Sequence, residues 1–167
     1  MQNCKPICIL IPILIMICLY SQAQSGDAAK KQDPAAQLKS LIESKKYWFH
    51  PISATSMKGM TRQLTNEYFL KLNNDSLEVD LPFYGRSYST NYPPTDLSVQ
   101  FTTTHFSYAA DSSKKGGWSI TITPKNETTA SKINMSITSS GYCTVQVSSN
   151  SRQPMSYYGT ITALNAR

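Results

Sequence analysis

From Tyr47 onward, apolar and polar residues alternate with a period of two in many short runs. Such runs predict β-strands with one buried face. They follow one another at intervals of roughly 8–12 residues, which leaves no room for the helices that connect parallel strands. The sheet is therefore predicted to be antiparallel and largely a meander. The inward residues of the clearest runs are Trp118, Ile120, Ile122, Ile133, Met135, Ile137, Cys143, Val145 and Val147.

These runs amount to eight or nine strands, each with one apolar and one polar face. A meander of this length leaves two free edges, which closure into a barrel removes. We therefore predict an all-β fold, a small antiparallel β-barrel, with a two-sheet β-sandwich as the alternative. The alternation slips near residues 102–104, between Phe101 and Phe106, and this slip predicts a bulge or bend.

A single amphipathic helix is predicted before the strands, at residues 33–46. Asp33 is a suitable N-cap and Pro34 suits the first helical position. Lys45 and Lys46 would lie in the last turn, where cations favour the negative end of the helix dipole. The residues of its apolar face are Leu38, Leu41 and Ile42.

The first residues have the pattern of a secretory signal peptide. Lys5 precedes an apolar run at residues 7–20, which is short for a membrane span of roughly 20 residues. The small residues Ser21 and Ala23 then predict cleavage after Ala23. This divides the chain into a signal peptide (1–23), a flexible spacer (24–32) and one domain (33–167). We expect the protein in the periplasm or secreted, with no membrane span in the mature chain.

Cleavage of the signal peptide determines which cysteines remain in the mature chain. Lipid anchoring through Cys18 is not expected, because the preceding Ile17 is larger than a lipoprotein signal requires. Cleavage removes Cys18 together with the two cysteines before it, which leaves Cys143 alone and excludes an intramolecular disulfide. Cys143 begins an apolar row, so we expect a small buried hydrophobe.

The charge pattern excludes several classes of partner. Formal net charge is +6, but charged residues make up only 16% of the chain, against roughly 25% in an average soluble protein. The basic residues are scattered and form pairs at most, so nucleic-acid binding is not expected. We expect a monomer.

No catalytic or metal-binding pattern is present. The segment Gly85–Ser89 lacks the second glycine of a nucleophile elbow. The two histidines do not have metal-ligand spacing. Glu78 and Asp80 belong to the polar face of a strand. We therefore predict a protein that is not an enzyme and has no cofactor.

The segment 81–94 is the candidate binding site, because it concentrates aromatic residues, prolines and an arginine. Aromatic faces beside a guanidinium suit a sugar, an aromatic ligand or a carboxylate. In the alternative interpretation, the loop closes one barrel end and its aromatics complete the core. The candidate ligand-binding residues are Phe83, Tyr84, Arg86, Tyr88 and Tyr92.

Two functions are compatible with these observations. The first is a binding module for a small molecule or glycan, and the second is a structural or accessory envelope protein that acts through a protein partner.

Several separated motifs also resemble a bacterial family, the domain of unknown function numbered 4251. They are Leu-Pro-Phe-Tyr-Gly-Arg-Ser-Tyr (81–88), Gly-Gly-Trp-Ser-Ile-Thr-Ile (116–122), Gly-Tyr (141–142) and Ser-Arg-Gln-Pro (151–154) with Gly159. The resemblance extends from about Leu41 to Ile161. It implies a secreted or periplasmic envelope protein with lipocalin-like barrel topology, and it brings no activity, catalytic residue or cofactor. Cys143 departs from the pattern, which has a small residue such as alanine there.

Overall fold

The computed structural model describes residues 34–65, 67–88, 98–113, 116–127 and 129–164. Asp33 and the predicted signal peptide and spacer lie outside these residues. All described elements belong to one compact unit, Asp33–Arg167. They are α1 (Pro34–Ser44), β1 (Lys46–Ser56), β2 (Thr61–Gln63), β3 (Phe69–Asn73), β4 (Ser76–Pro82), β5 (Ser98–Thr103), β6 (Phe106–Ser112), β7 (Trp118–Pro124), β8 (Lys132–Ile137), β9 (Tyr142–Ser148) and β10 (Met155–Ala163).

The strands form one antiparallel sheet in the order β5-β4-β3-β1-β10-β9-β8-β7-β6. Apart from the short β2, which pairs only with β1, neighbours along the chain are mostly neighbours in the sheet. The last strand returns beside the first, because β10 pairs with β1 over almost its whole length. The predicted meander is confirmed.

A bent joint between β5 and β6 brings the two ends of this sheet together. The two strands lie at opposite ends of the hydrogen-bonded order, yet only residues 104–105 separate them. Because nine antiparallel strands alternate in direction, the first and the last run the same way. They therefore form one bent strand, of which the first half pairs with β4 and the second with β7. The result is the predicted barrel, nearly closed, and the slip in the alternation marks its bend.

The interior of the barrel is filled by the inward rows of side chains. A barrel of about eight strands has an interior just wide enough for its own side chains. Burial alternates along the strands as predicted, most regularly in β9. The fully buried side chains include Tyr47, Phe49, Leu70, Leu72, Leu77, Leu81, Ile120, Ile122, Ile133, Val145 and Tyr157.

The helix is shorter than predicted and lies against β6. Leu38 and Ile42 are buried, and the Tyr108 hydroxyl of β6 donates to the Ile42 carbonyl oxygen at 3.4 Å. The prediction that Lys45 and Lys46 occupy the last turn is wrong. Lys45 has a left-handed backbone with φ 52°, which ends the helix, and Lys46 begins β1. No helix in the described ranges is long and apolar enough to cross a membrane.

A β-bulge in β1 lies where proline interrupts the strand. The pairing of β1 with β10 shifts between Pro51 and Ser53, next to a proline that cannot donate a hydrogen bond to the neighbouring strand. Gly159 of β10 lies opposite Pro51, and a Cβ added there would overlap the carbonyl oxygen of His50. The two strands therefore approach each other at a distance that only glycine permits.

The outer face of the barrel is less polar than predicted. Trp48, Phe69, Tyr142 and Tyr158 each alternate with a buried neighbour and so point outward. The expectation of a uniformly polar outer face is therefore wrong on β1, β3, β9 and β10. On the remaining strands the outward residues are mainly Ser, Thr, Gln, Asn and charged residues.

Candidate functional site

The candidate site is the segment 83–88, called here the mouth segment, which follows β4 and spans one end of the barrel. Its second half pairs with the turn between β9 and β10. The Tyr88 backbone N–H donates to the Ser151 carbonyl oxygen at 2.7 Å, and the Gln153 N–H donates to the Arg86 carbonyl oxygen at 2.9 Å. Since β3 and β1 separate β4 from β10 in the sheet, this pairing carries the chain across the barrel end.

A buried arginine, Arg152, contacts the mouth segment at the buried Phe83 ring. Phe83 is 4% exposed and Arg152 is 2% exposed. The Arg152 guanidinium lies 5.1 Å from the centroid of the Phe83 ring, in the geometry of a cation–π interaction. Its Nη1 donates to the Ser98 carbonyl oxygen at 2.6 Å. Arg152 thus connects the mouth segment to the start of β5.

The sequence gives no indication of this role for Arg152. A charged residue in a turn is normally exposed, so its type and position gave no signal of burial. Arg152 is buried because it packs against the Phe83 ring. The two residues are far apart along the chain, so no local sequence pattern shows this contact.

Tyr84 lies beside the mouth and is half-buried. The Arg62 guanidinium of β2 lies 4.7 Å from the centroid of its ring. Burial raises the pKa of Tyr84, and the neighbouring Tyr68 contributes in the same direction. One face of the ring is therefore occupied by an internal contact.

The remaining candidates differ in their placement. Arg86 and Tyr88 are exposed, and the Tyr88 side chain is 66% exposed. Tyr92 lies outside the described residues. The structure thus separates the candidates into a buried Phe83, a half-buried Tyr84, and an exposed pair on a hydrogen-bonded backbone.

A narrow cleft adjoins Phe83 and Arg152. Its volume is about 10 Å³, which is enough for one water molecule at most. The Thr129 hydroxyl on its wall is buried and has no hydrogen-bond partner within the described ranges. The cleft therefore has no room for an organic ligand. Its lining residues are Phe83, Val99, Thr129, Val147, Ser149, Arg152, Gln153 and Met155.

The groups capable of other chemistry are dispersed. Within the described part of the chain, no three His, Cys, Asp or Glu side chains lie close enough to hold a metal ion. Cys143 is buried as predicted, and burial raises its pKa from 9.0 to about 12. Because a protonated thiol is a poor nucleophile, Cys143 serves packing at neutral pH.

Comparison with known proteins gives a family and a fold. No curated protein matches the chain. A solved structure, the crystal structure of a DUF4251 family protein from Bacteroides eggerthii DSM 20697 at 1.95 Å resolution, matches with a TM-score of 0.60 and 18% identity. The match covers 79% of this chain and 89% of the other. Residues 29–161 match the family described as "Domain of unknown function (DUF4251)". The chain therefore belongs to the DUF4251 family.

Proposed function

We propose that this protein is an exported, non-enzymatic binding protein that takes a small molecule or a glycan on the outer surface of the mouth segment. The observation that carries this proposal is the placement of Tyr88. Its ring is 66% exposed, while its backbone N–H is held by the Ser151 carbonyl oxygen at 2.7 Å. An exposed aromatic ring on a fixed backbone loses little conformational entropy when it binds a ligand.

Arg86 extends the same surface. In an extended segment, residues two apart point to the same side, so Arg86 and Tyr88 share the outer side of the mouth segment. Both backbone groups of Arg86 are occupied, since its N–H donates to Gln153 Oε1 at 3.2 Å and its carbonyl oxygen accepts from the Gln153 N–H. The guanidinium can then bind a carboxylate or adjacent sugar hydroxyls while Tyr88 stacks on an apolar ring face.

The filled interior supports a surface site. The inward side chains occupy the barrel, and Phe83 with Arg152 closes the end that the mouth segment spans. In the part of the chain that the structure describes, the interior thus favours a site for a sugar-sized ligand on the outside. Export rests on the signal-peptide pattern of residues 1–23.

The test is native mass spectrometry of protein purified from the periplasm. The unaltered chain is expected to carry a small-molecule or oligosaccharide adduct that Arg86→Ala/Tyr88→Ala loses. The control, Lys125→Ala/Lys132→Ala, removes two exposed cations outside the mouth segment and should retain the adduct. An adduct that survives equally in all three proteins, or is missing from all three, contradicts a site on the mouth segment.

A protein partner is the second candidate function, and one observation favours it. The hairpin of β1 and β2 exposes Ile52 (45%), Met57 (69%) and Met60 (56%). Exposed methionines adapt to varied apolar partners and often mark interaction surfaces. Cross-linking in intact cells would then give a partner adduct that Met57→Ser/Met60→Ser loses and Arg86→Ala/Tyr88→Ala keeps. The reverse pattern would reject the hairpin as the contact.

A further inference from the structure

Two stacked aromatic pairs lie on the outer face of the barrel, away from the mouth segment. The rings of Trp48 and Phe69 are 5.9 Å apart at an interplanar angle of 19°. Those of Tyr142 and Tyr158 are 5.8 Å apart at 6°. The first pair joins β1 to β3, and the second joins β9 to β10. Both pairs therefore lie on four strands that are consecutive in the sheet.

His50 and two threonines connect the pairs. The His50 ring lies 5.3 Å from the Trp48 ring, and its Nε2 forms a 3.1 Å hydrogen bond with Thr162 Oγ1. Thr160 is paired with His50 on one side and with Tyr142 on the other. The outer face thus carries one continuous strip of rings and hydroxyls, called here the aromatic band. It consists of Trp48, His50, Phe69, Tyr142, Tyr158, Thr160 and Thr162.

The rings of the band do not complete the core. Tyr142 and Tyr158 are each 45% exposed, and the buried rows beneath them are filled by other side chains. Each residue sits in a hydrogen-bonded strand, so the spacing of the rings is fixed before any ligand arrives. Aromatic rings exposed in this way are typical of a binding surface.

The margin of the band carries one ion pair and one further exposed cation, Lys46, which lies two residues before Trp48 on the outer side of β1. Lys71 Nζ lies 5.7 Å from the Trp48 ring centroid and 3.2 Å from Glu78 Oε2. The Tyr142–Tyr158 side is flanked by uncharged Thr144 and Gln146 on β9. A surface that is aromatic, rich in hydroxyls and carries one excess cation offers little of the positive charge that a nucleic acid or an anionic lipid requires.

We infer that the aromatic band is a binding platform for a neutral carbohydrate chain. The ring faces would stack on the apolar C–H faces of sugar rings, while the threonine hydroxyls and the His50 ring bond the sugar hydroxyls. β1 and β9 are two strand spacings apart, about 10 Å, so the two pairs would contact two different sugars of one chain. This platform is separate from the mouth segment, and neither proposal depends on the other.

Affinity electrophoresis tests this inference with three neutral polysaccharides as probes: a soluble β-glucan, a xylan and a mannan. At least one of them, cast in a native gel, should retard the full chain relative to a gel without polysaccharide. Tyr142→Ala/Tyr158→Ala should weaken the affinity measured by the retardation about thirtyfold, because two stacking contacts of about 1 kcal/mol each are lost. Tyr142→Phe/Tyr158→Phe keeps both rings and should remain retarded. Lys125→Ala/Lys132→Ala, which lies outside both the band and the mouth segment, should also remain retarded.

Three outcomes overturn the inference. The unaltered chain is not retarded by any of the three polysaccharides. The double alanine variant, folded by circular dichroism, is retarded as strongly as the unaltered chain. Or size-exclusion chromatography shows a dimer that the alanine variant loses, which makes the band an interface between two copies. Should the double alanine variant not fold, Tyr158→Ala alone decides: the loss of one stacking contact should weaken the affinity about fivefold, and an unchanged retardation rejects the platform.

Discussion

The Tyr157 hydroxyl donates a 2.7 Å hydrogen bond to the Pro82 carbonyl oxygen. Both residues are buried, and their strands, β10 and β4, do not pair with each other in the sheet. The bond therefore crosses the barrel and fixes the residue from which the mouth segment leaves β4. The other end of that segment is fixed by its pairing with the turn that begins at Ser151.

Tyr157→Phe should destabilise the protein by about 1–2 kcal/mol. The substitution removes the hydrogen bond from the Tyr157 hydroxyl to the buried Pro82 carbonyl oxygen, and losing a buried hydrogen bond costs about this much. Urea denaturation followed by circular dichroism measures the change. Tyr158→Phe is the matched control, since its ring lies on the outer face and its loss of a hydroxyl should change stability by less than about 0.5 kcal/mol. Equal effects of the two substitutions would show that the buried bond contributes nothing.

Arg152→Ala should cost about 2–3 kcal/mol, because it removes a charged hydrogen bond to Ser98 and uncovers the Phe83 ring. Arg86→Ala should change stability by less than about 0.5 kcal/mol, since that side chain is exposed. The free energies of unfolding of the two variants, measured in urea under one set of conditions, test the difference. If Arg86→Ala proves the more destabilising, the assignment of the structural role to Arg152 is wrong.

The barrel could be predicted from the sequence because strict alternation fixes which residues share a face. The rows led by Ile120, Ile133 and Cys143 all lie inward as predicted. The aromatic band could not be predicted, because it lies where alternation between apolar and polar residues fails. In β1, Tyr47 and Trp48 are both large aromatics, so alternation there shows no contrast between the two faces. Which residue points outward is then decided by register with β10 and β3, and that is a property of the folded sheet.

The site was predicted only in part, because composition does not distinguish an aromatic ring that is buried at the barrel end from one that is exposed to solvent. Phe83 and Tyr88 belong to the same aromatic segment, yet one is buried and the other exposed. The difference arises from Arg152 and from the pairing with Ser151, both far along the chain. The end of the helix could not be predicted from residue type either. Lys45 has a left-handed backbone because β1 begins at the next residue.

Gly159→Ala should destabilise the barrel by about 3 kcal/mol, at the upper end of overpacking effects. The added Cβ would overlap the His50 carbonyl oxygen and lie 2.8 Å from Pro51 Cα. Both are backbone atoms that cannot move without breaking the pairing of β1 with β10. Gly141→Ala, where no atom lies within 4 Å of the new Cβ but φ is 83°, should cost only about 1–2 kcal/mol through backbone strain. Thermal denaturation of both variants gives the comparison, and a larger loss at Gly141 would reject the close approach of the strands.

The stability of the protein should fall in alkali, and Cys143 should contribute to the fall. Burial raises the pKa of its thiol from 9.0 to about 12, so the folded chain keeps a proton that the unfolded chain loses above pH 9. Ionisation therefore stabilises the unfolded chain. The contribution of Cys143 is fully present below pH 9 and is lost as the pH rises toward 12. Burial also raises the pKa of Tyr47 and Tyr157, which continues the loss above the ordinary tyrosine range.

Cys143→Ala separates the thiol from the tyrosines. The variant should be somewhat less stable than the unaltered chain at pH 8, because a buried sulfur is lost, but its urea midpoint should decline less steeply between pH 9 and 12. A thiol reagent at pH 8 should reach Cys143 only in urea, since the side chain is 1% exposed in the fold. Parallel pH profiles for the two proteins, or rapid labelling of the folded chain, would mean that the thiol reaches solvent and that its pKa is not raised by burial.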